Sequence, residues 1–218
     1  MRSDPIILAF DTSAAHCAAA LLSGDRVIAA RVEEMKKGQA ERLFPLLEDI
    51  LAEGGTAWSD LTRIGVGIGP GNFTGIRIAV SAARGLALSL NVPAIGVSTF
   101  QALTWDLPGD SVALVPAPQN RAYVQHMTAQ GSEDPQLIQL EDIADLSLPA
   151  GLTWVGAGAE DIAPRMTGTA TAPRAPLAEA IARIAARTDA STAPSPAPLY
   201  LRPADAAPPR DAPPQIVA

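Results

Sequence analysis

The chain has 218 residues, of which 48% are hydrophobic and 18% charged, so it has the apolar content for a sizeable core and is not disordered as a whole. Its 16 Lys and Arg against 23 Asp and Glu give a net charge of -7, the wrong sign for gripping a polyanion unaided. One cysteine, Cys17, makes no internal disulfide, and two histidines, His16 and His126, are too few to build an ordinary zinc site with it.

From Ile6 the chain reads IILAFDTS, then HCAAALLSG, then RVIAARVEE: three aliphatic runs joined by polar turns at Asp11 to Ala15 and Ser23 to Asp25. Connections this short predict an antiparallel meander. Gln39 to Glu53 places Leu43, Phe44, Leu47, Ile50 and Leu51 at helical spacing, Gly54-Gly55 stops it, and Pro45 is expected to kink or divide it. Thr62 to Ile68 then reads as a buried strand, Gly69 to Gly75 as a turn, and Ile76 to Leu90 as a helix. Pro93 to Val97 follows as a strand and Ser98 to Trp105 as a short helix. The order β-β-β-α-β-α-β-α predicts a mixed sheet, antiparallel at one side and parallel at the other.

The fold class expected is α/β, a two-lobed actin-like (ribonuclease-H-like) architecture with mixed sheets. Residues 1–105 are assigned to the first lobe and 106–189 to a smaller α/β lobe with strands at Ser111 to Pro116, Ala122 to Thr128 and Leu152 to Gly156 and a helix at Leu177 to Arg187. Residues 190–218 are an Ala/Pro-rich tail expected to be partly disordered, in which only Leu199, Tyr200 and Leu201 look able to dock. Asp4 and Pro5 stand where a signal peptide would continue in apolar residues, and no apolar run approaches the ~20 residues of a membrane span, so a cytoplasmic location is expected.

The segment Gly65-Val-Gly-Ile-Gly-Pro-Gly-Asn-Phe-Thr-Gly-Ile-Arg77 runs from strand through glycine turn into helix. Its backbone amides near a helix N-terminus suit an anion, which makes Asp11, Gly69, Gly71 and Asn72 candidates for phosphate binding. Spacing favours the plainer alternative, glycines that permit positive φ and close strand-to-helix packing, and the Walker signature is absent. Asp11 could likewise orient a hydrated magnesium ion or simply accept from nearby backbone N–H groups, the commoner role. His16 and Cys17 are neighbours on a strand, point to opposite faces, and share neither a metal nor a nucleophile–base pair. In the helix after the glycines, Ala79, Ala82, Ala83, Leu86 and Ala87 spread small residues over more than one face. Either another helix packs there, rimmed by Arg77 and Arg84, or the second lobe of the same chain covers it.

ILAFDTS, GQAERLFPLLEDIL, GIGPGNFTGIRIAVSAARGLA, VPAIGVSTFQAL and the late PLYLR together resemble the TsaB family, in the glycoprotease-like branch of the actin-like ATPase superfamily. The resemblance is strong over about the first 105 residues and thin beyond. It implies a non-catalytic subunit that binds and activates TsaD for threonylcarbamoyl transfer to N6 of adenosine 37 in tRNAs reading ANN codons. TsaD would be the heterodimer partner and the ATPase TsaE the third member, with tRNA held only through the complex and a homodimer formed when TsaD is absent. No metal and no cofactor of its own are implied, ATP or ADP with magnesium belonging to the complex interface. TsaD holds a metal through a His-x-x-x-His helix, whereas the corresponding Lys37 to Phe44 contains no histidine. Carried onto this sequence, the partner-binding residues are Glu41, Arg42, Phe44, Leu47, Arg77, Ala79, Val80, Ala83, Arg84 and Ala87. The family usually has a His-Ser-like pair where Gln39-Ala40 stands, and an Asp-Ala-Arg-like segment where Ala117 to Arg121 stands. The rival expectations are a nucleotide-binding, ATPase-like enzyme using Asp11 and the Gly69 to Gly75 loop and, least favoured, a peptidase, for which no nucleophile signature exists.

Overall fold

The structure, a computed structural model, describes residues 4–201; the expectation of disorder over residues 202–218 lies outside the described residues. Strands β1 (Ile6–Asp11), β2 (His16–Ser23) and β3 (Arg26–Glu34) form the antiparallel meander. Helix α1 (Gln39–Glu53) leads to β4 (Arg63–Gly67), which pairs parallel with β1, and helix α2 (Phe73–Leu90) leads to β5 (Ala94–Val97), parallel with β4. The resulting sheet runs β3-β2-β1-β4-β5.

The first lobe has three layers because β1 is apolar on both faces. Leu8 and Phe10 point into a cluster with Leu43, Leu47 and Ile50 of α1 and Ala79 and Ala83 of α2, while Ile7 and Ala9 point into a second cluster on the opposite face. That second cluster is filled by Ala102 of the short helix α3 (Thr99–Leu103) and by Ala180, Ile181, Ala182 and Ala185 of α5 (Leu177–Arg187). Helix α5, expected within the 106–189 lobe, therefore packs on the first sheet. Its C-terminal carbonyls accept from Arg63 of β4, including Thr188 O at 2.6 Å, which places a guanidinium at the negative end of the helix dipole.

Helix α1 is continuous through Pro45. Pro45 and Glu41, whose carbonyl loses its helical partner, are both exposed, so water can satisfy the freed oxygen. Helix α2 begins at Phe73, three residues before the expected start, because Asn72 caps it: its side chain accepts from Gly75 N at 2.9 Å. By length and composition alone α2, at 18 residues, is long enough and apolar enough to cross a membrane, a test that the core helix of a globular lobe also passes. In this fold its Ile76, Ala79, Val80 and Ala83 are buried within the chain's own lobe.

The second sheet runs β11-β10-β6-β7-β8, from β6 (Ser111–Ala117), β7 (Arg121–Thr128), β8 (Gly131–Ser132), β10 (Thr153–Gly156) and β11 (Thr169–Thr171), with β9 (Gln136–Gln139) also paired to β7. On one face Val112, Leu114 and Trp154 meet Ala159 and Ile162 of α4 (Ala159–Ile162). On the other, Ala113, Val115, Tyr123 and Val155 meet Phe100 and Leu103 of α3, and this cluster joins the lobes.

Candidate functional site

The glycine turn lies directly against the β1–β2 turn. Asn72 N donates to Ser13 O at 2.6 Å and Thr12 Oγ1 donates to Gly75 O at 2.7 Å. A Cβ on Gly75 would overlap the Thr12 carbonyl oxygen, so glycine is needed there for backbone approach. The amides at Asn72 and Gly75, at the start of α2, thus have protein partners, the first on Ser13 and the second on the Asn72 side chain.

Asp11 ends β1 fully buried and organises the turn that follows. Its Oδ1 accepts from Ser13 N at 2.9 Å and Ser13 Oγ at 2.9 Å, and lies 2.7 Å from His16 Nε2. Its Oδ2 is buried with no partner and faces Gly67, where a Cβ would strike it. Burial by itself would lower the His16 pKa, but the hydrogen bond and negative charge of Asp11, with Glu34 nearby, outweigh burial and raise it above the ordinary histidine value. The sequence suggested Asp11 as a turn acceptor or an ion ligand; the geometry is that of a turn acceptor, with an imidazole as its added partner. No sequence signal marked His16 as that partner beyond its position one strand turn away.

Cys17, on the other face of β2, sits in the core; burial, with Glu33 adding to it, pushes its thiol up to about 11, which leaves it unreactive at neutral pH. Among the described residues, no group of three His, Cys, Asp or Glu side chains lies close enough to hold a metal ion.

Between the lobes is a cavity of about 600 Å³. Ser13 to His16, Lys36, Gln39 and the Pro70 to Asn72 turn line it from the first lobe, and Leu114 to Pro116, Pro118 and Tyr123 from the second. Of the four candidate phosphate-binding residues, Gly71 and Asn72 reach this cavity, Gly69 and Asp11 being buried outside its lining. Gln39, one of the two residues that depart from the family pattern before Glu41, lines it too and donates to Met35 O at 3.1 Å.

The ten candidate partner-binding residues divide by exposure. Glu41, Phe44, Arg77 and Arg84 are exposed, and Arg42 and Ala87 half-buried. Leu47, Ala79, Val80 and Ala83 are at most 3% exposed, and this corrects their assignment to a docking face. Leu47, Ala79 and Ala83 pack on the sheet of their own lobe, and the small side chains of α2 serve close helix-to-sheet approach. Two large apolar side chains of these helices are exposed instead, Phe44 of α1 at 44% and Leu88 of α2 at 86%, the latter at the end of the segment Arg77 to Leu88. Beside Phe44, Arg42 bridges Glu33 and Asp49 at 2.7 Å each, and Arg31 reaches Asp49 and Glu53, forming a charged border between β3 and α1.

A family model described as TsaD: tRNA N6-adenosine threonylcarbamoyltransferase matches residues 27–191, well over half of the chain. The chain is 40% identical over 97 residues to the tRNA threonylcarbamoyladenosine biosynthesis protein TsaB of Escherichia coli, and 41% identical over 97 residues to that of Bacillus subtilis. Each of these matches covers 44% of this chain and 42% of the relative, so the chain matches less than half the length of these curated relatives. A Pseudomonas aeruginosa structure described as an uncharacterized protein with similarity to peptidase YEAZ superposes with a TM-score of 0.71 at 27% identity, covering 91% of this chain and all of that one. Component A of (R)-2-hydroxyglutaryl-CoA dehydratase from Acidaminococcus fermentans superposes with a TM-score of 0.54 at 8% identity, over 84% of this chain and 98% of that one, a likeness of fold alone. The two-lobed architecture is that of the actin-like ATPase fold, and the chain belongs to the tRNA N6-adenosine threonylcarbamoyltransferase family, within which it is similar to the TsaB proteins named above.

Proposed function

We propose that this chain serves tRNA threonylcarbamoyladenosine formation as a non-catalytic subunit that docks, through the outer face of α1 and α2, on a TsaD-type partner and activates it. The observation that carries the reading is the pairing of family membership with Phe44 and Leu88 held out from neighbouring helices whose inner faces are fully used in the core. Two things support it. Segment Lys37 to Phe44 offers no histidine for an acyl-donor metal, and a net charge of -7 leaves tRNA to be gripped by the partner. TsaE would join the pair, the process would run in the cytoplasm, and the same face would pair two copies of this chain when the partner is absent.

Mixing the purified chain with its cognate TsaD should give a complex on gel filtration, and Phe44→Glu and Leu88→Glu should each abolish it with the fold intact by circular dichroism. A lone chain that modifies adenosine in tRNA with no other subunit present would refute the reading.

A second reading, nucleotide binding in the interlobe cavity, is favoured by its volume of about 600 Å³ and by Lys36 and His16 at its wall. Against it stand the start of α2, whose Asn72 and Gly75 amides already donate within the chain, and Asp11, turned to Ser13 and His16. Calorimetry with ATP and magnesium on the isolated chain separates the two: tight binding lost in Lys36→Ala, at the cavity wall, would support the second.

A further inference from the structure

We propose that residues 196–201 form a strap that mechanically couples the interlobe cavity to the first turn of α2. The strap is fixed to the first lobe by its main chain: Leu199 N donates to Ile68 O at 2.8 Å, just beyond β4, and Pro196 is buried with its Cα close to Gly96 of β5. Its side chains divide in two directions. Leu199 and Leu201 pack on the cluster that joins the lobes, which contains Val115, Tyr123 and Leu103, three residues that also line the cavity. Tyr200, between them, stacks on Phe73 with ring centroids 4.6 Å apart and accepts from Arg77 Nε at 2.8 Å. The Arg77 guanidinium lies 4.0 Å from the centre of the Phe73 ring, so Tyr200, Phe73 and Arg77 form one stack on the first turn of α2.

The consequence is geometric. The cavity has one wall from each lobe, so any change in its width moves Val115 and Tyr123 relative to β4 and β5. Leu199 and Leu201 pack on the cluster that the moving wall shares with Phe100 and Leu103 of α3, while the main chain of the strap is tied to Ile68 beside β4. Tyr200 must then shift on Phe73 and Arg77, because adjacent residues of a short segment cannot move independently. Packed interfaces switch between discrete arrangements sooner than they stretch, so the cavity and the α2 turn change together. The functional weight of this coupling rests on the docking reading, since Arg77 lies on the exposed side of α2; the coupling itself belongs to this chain alone.

Hydrogen exchange followed by mass spectrometry on the full-length chain, without partner, tests it. Leu201→Ala, a change on the cavity side, should speed exchange of the amides at 73–77 about tenfold, and Arg77→Ala should speed exchange at 115–123 by a similar factor, exchange within β1 and β2 being unchanged. Tyr200→Phe, which keeps the ring and removes the hydroxyl, guards against a loss of folding and should give the same two-sided change at smaller amplitude. If each variant speeds exchange only beside its own position, the strap is two separate surface contacts and the proposal falls. A final arm adds TsaD: protection should appear at 115–123 in the unmodified chain and not in Tyr200→Ala. Failure of the unmodified chain to bind TsaD would remove the docking reading and leave the exchange results standing.

Discussion

The β1–β2 turn and the outer face of α1 and α2 belong to the same lobe, yet their exposed and buried groups are balanced in opposite ways. At the turn, polar groups are buried and mostly matched: Ser13 and His16 on Asp11, Thr12 on Gly75, Asn72 on Ser13. On the helix face, apolar groups are left out in water, with Phe44 and Leu88 uncovered above a core already complete without them. A buried polar group left without a partner costs free energy, so the turn is committed to holding its own shape. An exposed apolar group costs little where it stands and gains free energy when it is covered, which is what the docking proposal asks of the helix face.

That contrast can be broken at several points. The largest effect is expected from Ala83→Glu, which forces a charge into the sheet-facing core; it should lower unfolding free energy by several kcal/mol, enough to abolish cooperative urea unfolding. Leu47→Ala should cost about 2–5 kcal/mol in the same measurement, from lost burial and the cavity left behind. Gly75→Ala drives a Cβ into the Thr12 carbonyl and should cost roughly 1–3 kcal/mol, seen as a lower urea midpoint with unchanged slope. Leu88→Glu should change stability by less than about 0.5 kcal/mol, so a loss of TsaD binding in that variant reports on the face and not on the fold.

The smallest effect is a pH dependence at the turn. The His16 pKa is raised in the folded chain, so its contribution to stability is complete below the ordinary histidine value near 6.5 and fades as pH rises through the folded value. Urea midpoints compared from pH 5.5 upward should show this decline in the unmodified chain and lose it in His16→Gln. A flat profile in both would mean that the imidazole is not charged beside Asp11.

The first lobe was legible element by element. Alternating and 3.6-residue apolar patterns are local properties, and the β-β-β-α-β-α-β-α order follows them with boundary shifts of a few residues. The start of α2 was misplaced because the cap is the Asn72 side chain accepting from Gly75 N, which a glycine-rich stretch obscures. Pro45 was expected to kink or divide α1; the helix is not divided, since exposure of its turn lets water take the freed carbonyl. At the candidate site, Asp11 as a turn acceptor was readable from Thr12 and Ser13 behind it, and the docking ability of Leu199 and Tyr200 from their apolar rings and stems in a tail otherwise rich in Pro and Ala. The direction faced by Ala79 and Ala83 was not: an alanine is equally at home against a sheet, a second helix or water, so its type carries no information on which side is covered.

Composition, period and turn chemistry therefore determined the elements, their order and the mixed character of the first sheet, because each depends on residues near one another in the chain. Only the tertiary structure decided that α5 closes the first lobe, that Phe44 and Leu88 remain uncovered, and that Tyr200 reaches Arg77 across 123 residues of sequence. Such contacts depend on how faces of similar hydrophobicity compete for one core, and that competition is settled by shape and volume when the layers meet.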